Sequence, residues 1–175
     1  MRIGFFLLNV CFLLLINCGD NKLASEYDTE ENTSQQPVIS AKAIEGFKYT
    51  DYVLSQRGEK AVTDWEKYQE LAIQIDYLKK ADLSFFNGDK ELLKKFIEEF
   101  KAQMPSTLKT NPIISRTAII ETTLLRLHEN LTLDNIENQL KLESVKEVLI
   151  AFSNLNYQIN KKLERDLYEQ IKSEF

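Results

Sequence analysis

One apolar stripe limits what this chain can fold into more than any other feature. Ile136, Leu140, Val145, Val148, Phe152, Leu155, Ile159, Leu163, Leu167 and Ile171 recur mostly at three- and four-residue steps. That is the period of one helix face and not of a strand. A helical region opening near Thr132 or Asp134 and running unbroken to Ser173 would reach about 60 Å, roughly twice the diameter of a small domain. Either a break falls near Leu142 to Ser144, or the end projects past the body of the protein. Asn154, Asn156 and Asn160 weaken the helix locally, because their amides compete for backbone groups.

A single greasy stripe needs apolar neighbours, and the preceding sequence supplies three. The first predicted helix spans about Glu59 to Phe86. Ala61, Trp65, Tyr68, Leu71, Ile75 and Leu78 lie on its inner face, and Glu66, Lys67, Glu70 and Lys79 lie mainly on the other. Asn87-Gly88 is a helix-ending pair, and Asp89 is a good N-cap for a second helix, Lys90 to Gln103. Leu92, Leu93, Phe96, Ile97, Phe100 and Met104 form its stripe, and Pro105 ends it. After a loop from Ser106 to Asn111, Asn111-Pro112 reads as an N-cap followed by Pro at the first helical position. The third helix, Pro112 to about Asn130, buries Ile113, Ile120, Leu124, Leu127 and Leu131. Its β-branched residues lower helix propensity, but the spacing favours a helix. With only 5 Gly and 3 Pro, the chain is short of the turn residues a many-stranded sheet needs. The expected architecture is all-α, an antiparallel up-down bundle of about four helices over residues 41–175. Phe96, Ile97 and Phe100 should meet Phe152, Leu155 and Ile159 in one core.

Val38 to Gly58 is harder to read. A short helix near Tyr49 to Arg57 and an extended lid both fit. Phe47, Tyr49 and Tyr52 are expected to close the open end of the core rather than line a ligand groove.

The opening of the chain has a different character. Arg2 precedes an unbroken apolar run, Ile3 to Ile16, which fits the n-region and h-region of a secretory signal. As a helix the run would span about 21 Å, short of the roughly 30 Å of a bilayer core, so a permanent span is the weaker reading. Leu15-Ile16-Asn17-Cys18 resembles a bacterial lipobox, with Leu three residues before Cys. Asn17 departs from the small residue usual before the Cys. Cys11 is a rival with too short a run before it. The resemblance implies a signal peptide over residues 1–17, removed by processing, and Cys18 as the first mature residue, carrying a diacylglyceryl group and an acylated amine. Two or more chains anchor stably where one does not. The alternative is a plain signal peptide cut near Gly19, with Cys18 incidental. Gly19 to about Ser40 is polar and cannot offset its ordering entropy, so residues 18–40 read as the lipidated Cys and a flexible tether reaching roughly 25–30 Å. Asn32-Thr33-Ser34 and Asn130-Leu131-Thr132 match glycosylation acceptors by chance if the chain is bacterial.

Within the mature part, Trp65-Glu66-Lys67-Tyr68-Gln69-Glu70-Leu71 and Asp82-Leu83-Ser84-Phe85-Phe86 are similar to uncharacterised small helical lipoproteins of Bacteroidetes-type bacteria. The resemblance implies the cell envelope and carries over no activity. Gly19 lacks the Asp of inner-membrane retention, and Asp20 partly matches acidic export signals, so the outer membrane, at its periplasmic or surface face, is the expected destination.

Little else carries chemistry. The formal charge of −5 becomes one unit more negative without Arg2, which suits no nucleic-acid partner. A lipidated Cys18 leaves no thiol for a disulfide or metal site. His128, the one histidine, has Glu121 two turns earlier and Glu129 beside it, but reads as a residue at the edge of the apolar stripe. Zinc needs three or four convergent ligands, and no HExxH, EF-hand, GxSxG, SxxK or phosphate loop occurs. Glu98-Glu99 and Glu30-Glu31 read as solvated faces. Trp65 and Tyr68 share a face from which Tyr77 is turned away, which favours core packing over an aromatic box. No catalytic residue, metal or cofactor is expected. The chain reads as a lipid-anchored, non-enzymatic module binding a protein partner. A small-ligand carrier or sensor with a pocket inside the bundle is the alternative, and a hydrolase with an unrecognised site comes third. A hollow interior would favour the carrier; a filled core with an exposed apolar patch would favour the protein-binding module.

Overall fold

The computed structural model describes residues 38–174, which are all-α, with six helices and no strand among the described residues. They are α1 (Ala41–Glu45), α2 (Gln56–Ala61), α3 (Glu66–Lys79), α4 (Lys90–Ala102), α5 (Asn111–Thr132) and α6 (Asn138–Ser173), with a 3-10 turn at Ser106–Leu108. The expected signal peptide, Cys18 and most of the tether lie outside the described residues. The four longer helices form the up-down bundle. Arg126 of α5 reaches Glu147 of α6, and Asn130 reaches Ser144, so those two helices run antiparallel. Lys101–Glu121 and Lys90–Glu129 set α4 against α5 in the same sense.

α6 is one continuous helix of 36 residues, about 54 Å at the standard rise. It starts at Asn138, later than the stripe suggested, and Leu140 faces solvent. The expected weak point at Leu142 to Ser144 is unbroken because both residues are buried against α5 and satisfied there. Ser144 Oγ donates back to the Leu140 carbonyl (2.9 Å) and accepts from Asn130 Nδ2 (3.1 Å). The excess length emerges at the other end. Beyond Leu163 the helix leaves the core, and Tyr168 and Ile171 are exposed.

The expected Glu59–Phe86 helix is instead α2, a break, and the shorter α3. The break at residues 62–65 is made by Trp65. Its ring is fully buried and its Nε1 donates to the Phe100 carbonyl (2.7 Å), so its backbone turns inward with Val62. α3 then ends eight residues before Asn87-Gly88. Ala81 takes φ 65°, its N–H donates to Leu78 O, and Asp82 N–H donates to Tyr77 O. Those two bonds define a Schellman motif, in which glycine usually fills the left-handed position. Asp82-Leu83-Ser84-Phe85-Phe86 is accordingly a turn, tied by Ser84 N and Oγ donating to Asp82 Oδ1. Those bonds hold the Asp82 carboxyl below its ordinary pKa.

α4 follows the sequence closely. Asp89 Oδ1 accepts from the Glu91 and Leu92 N–H groups, as an N-cap should. Leu92, expected inside, is exposed, because the stripe passes through Leu93, Phe96, Ile97 and Phe100. On α5 the N-cap is Thr110, one residue early, with Pro112 still in the first turn, where its missing N–H costs nothing. Leu131 is half-buried.

The interior is one cluster of 26 buried apolar residues, which includes Phe96, Ile97, Phe100, Phe152, Leu155 and Ile159 together. Phe152 stacks on Tyr68 (5.5 Å between centroids), and Trp65 stacks on Phe100 (4.8 Å). Phe152→Ala should therefore cost about 3–5 kcal/mol through lost transfer energy and the cavity left. The melting midpoint of the helical region, followed by circular dichroism, should fall by roughly 10–20 °C. Glu129→Ala, at an exposed ion pair, should move it little. Ala81→Gly should raise it, by a net of about 0.5–1 kcal/mol, because relief of the left-handed strain exceeds the extra chain entropy of glycine.

Candidate functional site

The residues between α1 and α2 form neither the expected short helix nor a free lid. Residues 50–55 run as a strap along α6, and three side chains of α6 hold its backbone. Ser153 Oγ donates to Thr50 O (2.7 Å) and accepts from Tyr52 N–H (2.8 Å). Asn156 Nδ2 donates to Tyr52 O (3.0 Å). Asn160 Nδ2 donates to Val53 O (2.8 Å), and its Oδ1 accepts from Ser55 N–H (2.9 Å). Ser153 to Asn160 covers about 10.5 Å of helix axis, the length of about three extended residues, so each rung meets the strap in register. Tyr68 on α3 donates its O–H to Asn156 Oδ1 (2.7 Å) and fixes that amide from behind. Burial pushes the Tyr68 hydroxyl well above the ordinary tyrosine pKa. The strap continues into α2, which approaches α6 at Gly58. A Cβ there would lie 2.9 Å from Asn160 Oδ1 and 3.0 Å from Leu54 Cδ2.

Asn156 and Asn160, read from sequence as weak points, are thus rungs of a polar ladder. Their signal was their four-residue spacing on the face that continues Phe152 and Leu155. What they hold is about a hundred residues away in sequence and invisible to local pattern.

An open cleft of about 550 Å³ separates the strap from α3, with Ala72, Asp76 and Lys79 on the α3 side and Phe152 and Asn156 at its floor. Lys79 reaches across to Asp51 (2.7 Å). A second groove, about 330 Å³, lies between α5 and α6 on the far face of their hairpin, where Ile119, Ile150 and Ala151 are flanked by Arg116 and Arg126. Arg126 Nη1 donates to both oxygens of Glu147 (2.9 and 2.7 Å), whereas Arg116 has no ion-pair partner among the described residues. A third cleft, about 430 Å³, lies along α3 and α4 over Lys67. Lys67 sits between Glu70 (2.7 Å) and Glu99 (3.3 Å). The hydrogen bond to Glu70, then that to Glu99, raises its pKa against the opposing effect of burial. A lysine serving as base or nucleophile needs the opposite shift.

The residues weighed for chemistry do not converge. His128 is buried rather than at the stripe's edge, with Nδ1 3.0 Å from the Phe86 carbonyl, so that nitrogen carries the proton and pins the turn after α3. Glu121 pairs with Lys101 and Glu129 with Lys90. Trp65 and Tyr68 are core, and Tyr77 is exposed. Among the described residues no group of three or more His, Cys, Asp or Glu is placed to hold a metal, and no helix is long and apolar enough to cross a membrane. Comparison of the chain with protein-family models, with curated proteins and with solved structures found no match.

Two variants test this geometry. Gly58→Ala should destabilise by about 1–3 kcal/mol, since its methyl must displace a fixed amide. Tyr68→Phe bears on alkaline pH. The hydroxyl has a raised pKa when folded, so its stabilisation is full below the unfolded value of about 10 and is lost as pH rises above it. Tyr49 is shifted the same way by its own burial and then by Asp51. Urea midpoints between pH 8 and 11 should therefore decline in the parent and decline less steeply in Tyr68→Phe.

Proposed function

We propose that this chain is a lipid-anchored protein of the cell envelope whose helical region binds another protein and performs no chemistry of its own. The observation that supports this most is a filled interior beneath an apolar groove on the α5–α6 face. Trp65, Phe86 and Phe100 occupy the centre with at most 1 % exposure, while Ile119 stands 42 % exposed at the groove beside Arg116. A large apolar side chain held in water at a groove with a free cation suits a protein partner offering aliphatic and acidic groups. A carrier of small ligands calls for an enclosed chamber, and the three clefts described above open to solvent. The anchor is carried by Leu15 and Cys18 of the lipobox-like segment.

Two experiments in the native host test the two halves of the proposal. Cys18→Ser should abolish labelling with radioactive palmitate and leave the unprocessed precursor; unchanged labelling would remove the anchor. A photo-crosslinking residue at Ile119 should give a discrete adduct with one protein, and the same residue at Ile73, exposed on α3, should not. Equal or absent adducts at both positions would remove the α5–α6 face as the binding surface.

A further inference from the structure

We infer that the Ser153–Asn156–Asn160 ladder is a receptor for extended peptide backbone, that residues 50–55 occupy it in cis, and that an extended segment of a partner protein takes their place. The inference rests on the protein-binding reading but concerns a different face from the α5–α6 groove. Three features support it.

The ladder reads backbone only. All five bonds that join Ser153, Asn156 and Asn160 to the strap go to its N–H or C=O groups, and none goes to a strap side chain. Every non-proline residue carries those groups, so the site sets spacing and direction and is tolerant of sequence. The strap also contributes little apolar burial. Tyr52 and Val53 are exposed, Val53 by 76 %, and Leu54 alone packs partly on the core. Beyond Leu54 its one apolar contact is the Tyr52 ring against Tyr157 (4.7 Å between centroids), and a segment held mainly by polar contacts with little burial belongs to the part of a structure that opens locally at low cost. Finally, the strap leaves space beside it. The cleft between strap and α3 is not filled by Tyr52 or Leu54, so a segment with a larger side chain near the Leu54 position would cover more of Phe152 and Ala72 than the strap does. Tyr68 holds Asn156 from the α3 side through a bond that does not involve the strap, which favours an organised receptor.

The test uses the full chain and a fluorescent peptide with the sequence Lys48 to Arg57. Tyr52→Pro removes the N–H that Ser153 accepts and so loosens the cis strap without touching the ladder. The peptide should bind this variant saturably, at least about tenfold more tightly than the parent, because the competing cis segment is weakened. Adding Asn160→Ala to Tyr52→Pro should abolish the gain. No binding by a folded Tyr52→Pro, or binding indifferent to Asn160→Ala, would overturn the inference. Hydrogen exchange on the unaltered chain covers the case in which the proline variant does not fold. The Tyr52 and Ser55 amides should exchange at least about a hundredfold faster than the Leu149 and Leu155 amides of α6. Equal protection would mean that the strap leaves only when the whole protein unfolds, and the inference would fail. Loss of a crosslink at Ile119 would leave these outcomes unaffected, which separates the two proposals.

Discussion

An amphipathic helix is marginal in water by itself, and its apolar face decides whether it survives. For α6 that face is answered mainly by α5. Ile120, Leu124 and Leu127 from one helix and Leu142, Val145, Val148 and Leu149 from the other leave water together. The polar residues in this seam are satisfied inside it. Thr123 Oγ1 bonds back to Ile120 O, and Ser144 accepts from Asn130. Because the hairpin is secured along its length, α6 can extend past the body at one end and present a polar ladder at its middle without losing its helical path. The shorter helices α3 and α4 close over the other side through rings: Phe152 on Tyr68, Tyr68 near Trp65, and Trp65 on Phe100.

The strap turns on a different physical constraint. A segment with no regular secondary structure must still pair its backbone groups wherever water is excluded. Here the pairing comes from side chains of a helix, an arrangement that costs helix propensity at Asn156 and Asn160. That cost is offset by fixing the path of the chain into α2. Gly58 belongs to the same arrangement, because the ladder works only if α2 lies against α6 at a distance a methyl group would prevent.

The elements legible in the sequence were those whose cause is local. α4 has its cap at Asp89, its stripe and its Pro105 stop within seventeen residues, and it forms nearly as read, Leu92 apart. The core partnership of Phe96 and Phe100 with Phe152 and Leu155 also followed from periodicity. What was not legible has tertiary causes. Trp65 continues a perfect helical period, yet its indole must reach the Phe100 carbonyl, and the helix breaks for that bond. Ala81 gives no sign of a left-handed turn, because the turn is set by the inward course of Phe86 and by His128 holding its carbonyl. The ladder could not be found in advance, since a helical asparagine looks the same from sequence whether it faces solvent or a distant strand of backbone.

The position of Trp65 has an optical consequence. It is the chain's one tryptophan, sealed from solvent at the junction of α2, α3 and α4, with its N–H committed to a carbonyl and its ring against Phe100. Its emission in the native protein should be blue-shifted and move to the red when α3 separates from α4. The molecule therefore carries an intrinsic reporter of that one closure, distinct from far-ultraviolet ellipticity, which is dominated by the long helices α5 and α6. Divergence between the two signals would resolve whether the α3–α4 half of the bundle comes apart before the hairpin does.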